Sequence, residues 1–136
     1  MQQTKAIISR WGPSLLWMAA IFISSSTPSS DLPSFGSLDY VVKKIGHFLG
    51  YAVLGLAYRR GLRWELRRSG TAWILAVLHA LLDEFHQSCV PGRHPSLVDA
   101  LLFDAGGAAA ALWVSGRLSG TRRSLTADDS SGSTKH

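Results

Sequence analysis

Between Leu101 and Val114 the chain carries a single charged side chain, Asp104. A surface helix of a soluble bundle needs a polar stripe along its whole length, and this run has none. The segment calls for a membrane or for complete burial. Three further apolar blocks share the property in weaker form. Trp11 to Ile23 follows Lys5 and Arg10 and ends in Ser24-Ser25-Ser26-Thr27-Pro28-Ser29-Ser30, which breaks a helix. Val41 to Tyr58 is closed by Arg59 and Arg60, and Thr71 to Gln87 ends in Asp83-Glu84-Phe85-His86-Gln87. Each block is near the ~17 to 25 residues that cross a bilayer as a helix, the second and third only with their polar ends counted. The expected fold is all-α, a four-helix transmembrane bundle over residues 1–118. A polar tail, 119–136, has too little apolar content to fold and is expected to be disordered. A cleaved signal peptide is the competing reading of the first block, and it leaves three spans.

Charge placement orients the bundle. Lysine and arginine total 14 against 9 acids, a formal net charge of +5. With the amino terminus in the cytoplasm, the inside carries Lys5, Arg10, Arg59, Arg60, Arg63, Arg67, Arg68, Arg117, Arg122, Arg123 and Lys135. The outside keeps Lys43, Lys44 and Arg93, so the split of the 14 is eleven against three. Such an asymmetry places both termini in the cytoplasm. The basic excess is thus topogenic, and no nucleic-acid partner is expected. The lone cysteine, Cys89, excludes an internal disulfide.

In this orientation the polar residues of three helices gather at the outer side. Lys44, His47 and Tyr51 follow an i, i+3, i+7 pattern and share a face; His79, Asp83 and His86 share another, with Gln87 at its edge. Glu84 is turned about 100° from Asp83, so the two acids are expected to have different partners. Asp99 and Asp104 come early on the fourth helix. Ionisable groups at membrane depth face the bundle interior and pair there, because lipid exposure costs several kcal/mol. Gly46-xxx-Gly50 and the run from Gly106 to Ala111 offer small surfaces for close approach of the second and fourth helices.

His47-Phe48-xx-Tyr51-xx-Leu54-Gly55, Asp83-Glu84-Phe85-His86-Gln87, Val90-Pro91-Gly92-Arg93, then Leu97 with Asp99 and Asp104 with Gly106 resemble, in order and spacing, the VanZ family of bacterial multipass membrane proteins. The likeness covers about 41–111. Where this chain has Asp104 the family pattern often has Asn, so the position supplies either a charge or hydrogen bonds alone. The resemblance implies a four-helix domain in the bacterial cytoplasmic membrane, a link to the cell envelope and, for one member, reduced susceptibility to teicoplanin-type glycopeptides. It implies no established reaction.

Several of these residues have structural readings. Ser96 to Asp99 fits a capping box, making Asp99 a cap rather than a ligand. Pro91 and Gly92 signal a turn. Arg93 either neutralises Asp83 or Glu84 or clamps an anionic group of a ligand. His79 reads as a hydrogen-bonded core residue. His47, His79, Asp83, Glu84 and His86 lack any HExxH-like spacing, so neither metal nor cofactor is expected. Lys44, His47, Tyr51, Asp83, Glu84, Gln87, Arg93 and Asp104 are the candidate pocket residues, with Ser96, Asp99, Pro91, Gly92 and Gly106 as structural ones.

Three functions are compatible with this pattern. One is a pocket open to the outer face and surrounded by membrane lipids, holding a lipid-linked cell-wall precursor or the glycopeptide that targets one. The second is an enzyme on a lipid head group or cell-wall precursor, with Asp83 or Glu84 as general base, His47 as its partner and Arg93 as the electrostatic clamp. The third, a small transporter, needs a polar pathway through both halves of the bundle, and the inner halves lack polar residues.

Overall fold

The computed structural model describes residues 2–31, 33 and 36–132, with the side chains of 29 and 122–132 outside that description. Four long helices account for the architecture, and no strand occurs among the described residues. They are α1 (Gln2–Ser26), α2 (Asp39–Gly61), α3 (Ser69–Gln87) and α4 (97–132). The last begins as one α turn, Leu97–Asp99, widens to a π turn over Ala100–Asp104, and resumes as an α-helix over Ala105–Gly132. The segment expected to be disordered, 119–136, has helical backbone to Gly132, and 133–136 lie outside the described residues.

Local chemistry sets the helix ends. α1 runs two residues short of Pro28, whose ring disfavours helical geometry at the residue before it. Arg59 and Arg60 occupy the last turn of α2, where cations meet the negative end of the helix dipole. Beyond it the chain reverses through Arg63 and Trp64, both at positive φ (64° and 57°). Ser96 caps α4, its side chain accepting from the Asp99 N–H at 3.3 Å.

α2 is the central helix and packs on each of the other three. Its buried Tyr51, Leu54 and Tyr58 meet Ala72, Ala76 and Ala80 of α3 and Ala100, Ala108 and Leu112 of α4. Those positions repeat at three and four residues, one face per helix. The closest approach is α2 against α4. A Cβ at Gly107 would stand on the Phe48 backbone, and one at Gly55 would lie 3.2 Å from Ala108. The close approach expected of the 106–111 run is made at Gly107 and Ala108, but on α2 it falls at Phe48 and Gly55, not at Gly46 and Gly50, and Gly106 takes no part. A Cβ at Gly46, Gly50 or Gly106 meets nothing within 4 Å.

The size distribution is inverted relative to a water-soluble bundle. Apart from Tyr51, Leu54, Tyr58 and Leu112, the interior is mostly alanine, glycine and polar groups, while Leu16, Ile23, Leu82, Phe85, Leu102 and Trp113 are each more than 60 % exposed. Small residues inside and large apolar ones outside are the packing of helices in lipid, where close backbone approach replaces hydrophobic collapse. By length and composition, two helices among the described residues are apolar enough to cross a membrane, 2–26 and 97–121. α2 and α3 fall short because they carry charged residues, Asp39, Lys43, Lys44, Arg59 and Arg60 on α2 and Asp83 and Glu84 on α3.

Candidate functional site

One end of the bundle, where α1 and α3 finish and α2 and α4 begin, gathers the polar residues. Asp83 is its centre and is almost wholly buried. Its Oδ2 accepts from the Ser25 hydroxyl at 2.7 Å and from Gln87 Nε2 at 2.9 Å; the same Gln87 nitrogen lies 3.2 Å from Ser25 Oγ. Oδ1 has no partner among the described residues. Glu84, one residue on, points elsewhere and accepts from the backbone N–H of Ser96, across the loop that leads into α4. The acids thus have separate tasks: Asp83 ties α3 to α1, and Glu84 ties α3 to the start of α4.

On α2, His47 Nδ1 lies 3.2 Å from Asp104 Oδ1, which is buried at the end of the π turn. A single π turn places a helical residue off the regular α spacing, and such turns are frequent at functional sites. Lys44 pairs with Asp99 at 2.7 Å, and Tyr40 donates to the other oxygen of that carboxylate at 3.3 Å. The expected role of Asp99 as a cap is thereby corrected: Ser96 is the cap, to which the Asp99 N–H donates, and the Asp99 carboxylate bridges to α2, while the Ser96 N–H that it was expected to meet donates to Glu84. Tyr51 sits between the clusters. Its ring centroid is 6.5 Å from His47 and 5.9 Å from His79. The Tyr51 hydroxyl and His79 Nε2 are buried without a partner among the described residues.

Arg93 has a different use from both expected ones. Its Nε donates to the Thr27 carbonyl at 3.2 Å and its Nη2 to the Ser24 carbonyl at 2.9 Å. The guanidinium neutralises neither Asp83 nor Glu84; it satisfies carbonyls left over at the end of α1. The turn before it holds Arg93 in place. Pro91 and Gly92 (φ 72°) occupy its corners, and the Arg93 N–H closes on the Val90 carbonyl at 3.2 Å. The expected enzyme trio of Asp83 or Glu84, His47 and Arg93 is accordingly not assembled.

Beside these residues lies a cavity of about 370 Å³ between α1 and α2. Trp17, Ala20, Ile21 and Pro33 with Gly46 and Gly50 of α2 give it an apolar and backbone lining, and Ser24, Ser25, His47, Tyr51, Lys43 and Arg93 a polar one. Gly46 and Gly50, read from sequence as a helix interface, are instead cavity wall, and the Gly50 carbonyl accepts from Trp17 Nε1 at 2.7 Å. Asp83 stands behind Ser25.

α1 is the part of the site that sequence reasoning missed. Ser25 and Ser26 read as a helix-breaking run, yet the helix includes both. Ser26 Oγ donates to the Phe22 carbonyl at 2.7 Å, so His86 Nε2, at 2.8 Å, is the donor to that hydroxyl. Phe22 stacks on the His86 ring at 4.0 Å. The missed signal is spacing: Ser25 falls four residues after Ile21, which packs on the core. Far from the site, Arg59 is fully buried, bonded to Ser115 Oγ and 5.6 Å above the Trp64 ring. Among the described residues no three of His, Cys, Asp and Glu are grouped as metal ligands.

No curated protein and no solved structure matches the chain. The family model VanZ/LLP1 matches residues 11–118, which takes in α1 as well as the polar end, and the chain belongs to that family.

Proposed function

We propose that this member of the VanZ/LLP1 family is a multi-pass protein of the bacterial cytoplasmic membrane whose outward-facing cavity holds an amphiphilic component of the cell envelope. The observation that carries the reading is the cavity between α1 and α2, lined by apolar and by polar side chains. Its size falls in the roughly 300 to 1,000 Å³ of small-molecule sites. The inverted packing supports the membrane, and the eleven basic residues assigned to the inside support the outward direction. A lipid-linked cell-wall precursor, or the glycopeptide that targets one, has the required amphiphilic character. A change in teicoplanin-type susceptibility follows if either occupies the site.

Two labelling experiments test this. Cys89 is exposed just past α3; a membrane-impermeant maleimide added to cells with a permeable outer layer is expected to label it. Labelling only after the cytoplasmic membrane is opened inverts the topology and removes envelope ligands from consideration. In a Cys89→Ser background, Gly46→Cys places a thiol on the cavity wall, where a Cβ has open space. Added envelope lipid extract is expected to slow its labelling, and an unchanged rate refutes the binding reading.

The contact between Ser25 Oγ and Asp83 favours a second reading, a membrane enzyme acting on a head group or cell-wall precursor, because a hydroxyl against a carboxylate is a nucleophile with its base. Under that reading Ser25→Ala abolishes turnover and keeps Gly46→Cys protection; under binding alone, activity assays on envelope extracts stay blank for both proteins.

A further inference from the structure

The lining of the cavity carries charge of one sign, and the inference drawn from it rests on the proposed function of the cavity as a ligand site. Lys43 and Arg93 belong to the lining, and no carboxylate does. The acids at this end of the bundle stand off it, and each has a partner of its own: Ser30 for Asp31, Lys43 for Asp39, Ser25 and Gln87 for Asp83, the Ser96 N–H for Glu84, Lys44 for Asp99 and His47 for Asp104. Leu32, Ser34 and Phe35, in the neighbouring loop, bring no charge.

The bonds that seat Arg93 leave its charge uncompensated. Its partners, the Ser24 and Thr27 carbonyls, are neutral, and it forms no ion pair with an acid among the described residues. Those bonds run from Nε and Nη2, and Nη1 makes none to a described residue. A guanidinium fixed on one side and open on another is set to grip an oxyanion. Lys43 is tied only to Asp39, four residues earlier on the same helix, with side chains 30 % and 29 % exposed. A pair so exposed adds little to stability, so Lys43 is free to turn to a ligand. Tyr51, also in the lining, is 1 % exposed, and its hydroxyl has no partner among the described residues. Buried polar groups are hydrogen-bonded as a rule, and a hydroxyl can donate to an oxyanion. Trp17, Ala20, Ile21 and Pro33 supply the apolar part of the lining, which suits a hydrocarbon chain. Screening is weak beside such walls, so the sign of the lining selects the sign of the head group.

We propose that the cavity takes an oxyanion head group, of the phosphate type, carried on an apolar chain, with Arg93 as its fixed cation and Lys43 as its mobile one. Lys44 has no part in this, because it is held by Asp99 and does not line the cavity. Arg93 then serves twice: its carbonyl bonds hold the end of α1, and its remaining N–H groups meet the ligand.

The test uses the full chain in neutral-detergent micelles, titrated with decyl phosphate, decanol and decylamine, each corrected for uptake by empty micelles. Decyl phosphate is expected to bind at least ten-fold more tightly than the other two. Inorganic phosphate lacks the chain and is expected to displace it only at about a hundred-fold higher concentration; displacement at equal concentration would identify a site for the free anion and overturn the amphiphile. Arg93→Gln is expected to remove the preference for decyl phosphate while decanol binding stays. Lys43→Gln gives up only an exposed pair and is expected to weaken decyl phosphate several-fold, which keeps the test open should Arg93→Gln fail to fold. Decanol or decylamine binding as well as decyl phosphate, or an affinity for decyl phosphate unchanged in the variants, overturns the oxyanion assignment and leaves the pocket reading standing. No binding of any of the three above empty micelles overturns both.

Discussion

Alanine at two adjacent glycines of α4 should give opposite results. A Cβ on Gly107 falls 2.9 Å from the Phe48 carbonyl carbon and 3.1 Å from its Cα, and closer still to the carbonyl oxygen. Non-bonded carbons settle about 3.5 to 4.0 Å apart, so α2 and α4 must separate by roughly 0.5 to 1 Å. The obstacle is helix backbone and cannot swing aside as a side chain does. Overpacking of this kind costs about 1 to 3 kcal/mol. The same two helices hold His47 against Asp104 at 3.2 Å, and separation breaks that contact. Leaving a buried acceptor unpaired adds about 1 to 3 kcal/mol. Alanine's better helix propensity returns about 1 kcal/mol, so the net loss expected for Gly107→Ala is about 3 kcal/mol. At Gly106 nothing lies within 4 Å, so the substitution keeps only the propensity gain. The assay is thermal: the purified full chain is heated in one detergent and the monodisperse fraction is read by size exclusion. With about 4 °C per kcal/mol for a chain of this size, Gly107→Ala melts on the order of 10 °C lower, and Gly106→Ala melts at or slightly above the parent. Equal midpoints for the two variants would refute the close approach of α2 and α4 at Phe48.

Other substitutions test other contacts by the same melt. Arg93→Ala removes two bonds to the end of α1 and should cost about 1 to 3 kcal/mol, additively with Asp83→Asn, since the two groups share no contact. A coupling energy above about 1 kcal/mol in that double-mutant cycle would show that Arg93 serves the acids after all. Ser25→Ala strips one donor from buried Asp83 and should cost about 1 to 3 kcal/mol, more than Ser26→Ala at the less buried His86 contact; equal losses would remove Ser25 from the centre of the site. Arg59→Met replaces a buried guanidinium whose Nε and Nη2 lack partners among the described residues, and should be neutral or stabilising. A loss above about 2 kcal/mol would mean that those nitrogens are satisfied by a group such as water.

Periodicity and turn chemistry made much of this legible. The i, i+3, i+7 face of Lys44, His47 and Tyr51, the divergence of Asp83 from Glu84, the Ser96 cap and the Pro91-Gly92 turn are local consequences of helix geometry and backbone preference. What escaped depends on partners without a signature. Arg93 binds carbonyls, and every residue has one. Ser25 looks like a breaker because hydroxyl groups favour caps and turns; only its phase relative to Ile21 sets it on the inner face. The glycine pair illustrates the same limit. A run of six small residues carries no phase of its own, and only counting i+3 and i+4 from Asp104 selects Gly107 and Ala108 over Gly106 as the contact.

Of the polar residues of α2, Lys43, His47 and Tyr51 line the cavity, and Asp83 of α3 stands behind Ser25. Buried polar groups in folded proteins are as a rule hydrogen-bonded. The rim follows that rule: Lys43, Lys44 and Arg93 each have an acid or a carbonyl. The interior does not, since Asp83 Oδ1, the Tyr51 hydroxyl and His79 Nε2 have no partner among the described residues. Asp83→Leu leaves the Ser25 hydroxyl and Gln87 Nε2 without their shared acceptor and should cost about 1 to 3 kcal/mol in the same melt, and an unchanged melting point would remove Asp83 as the tie between α1 and α3.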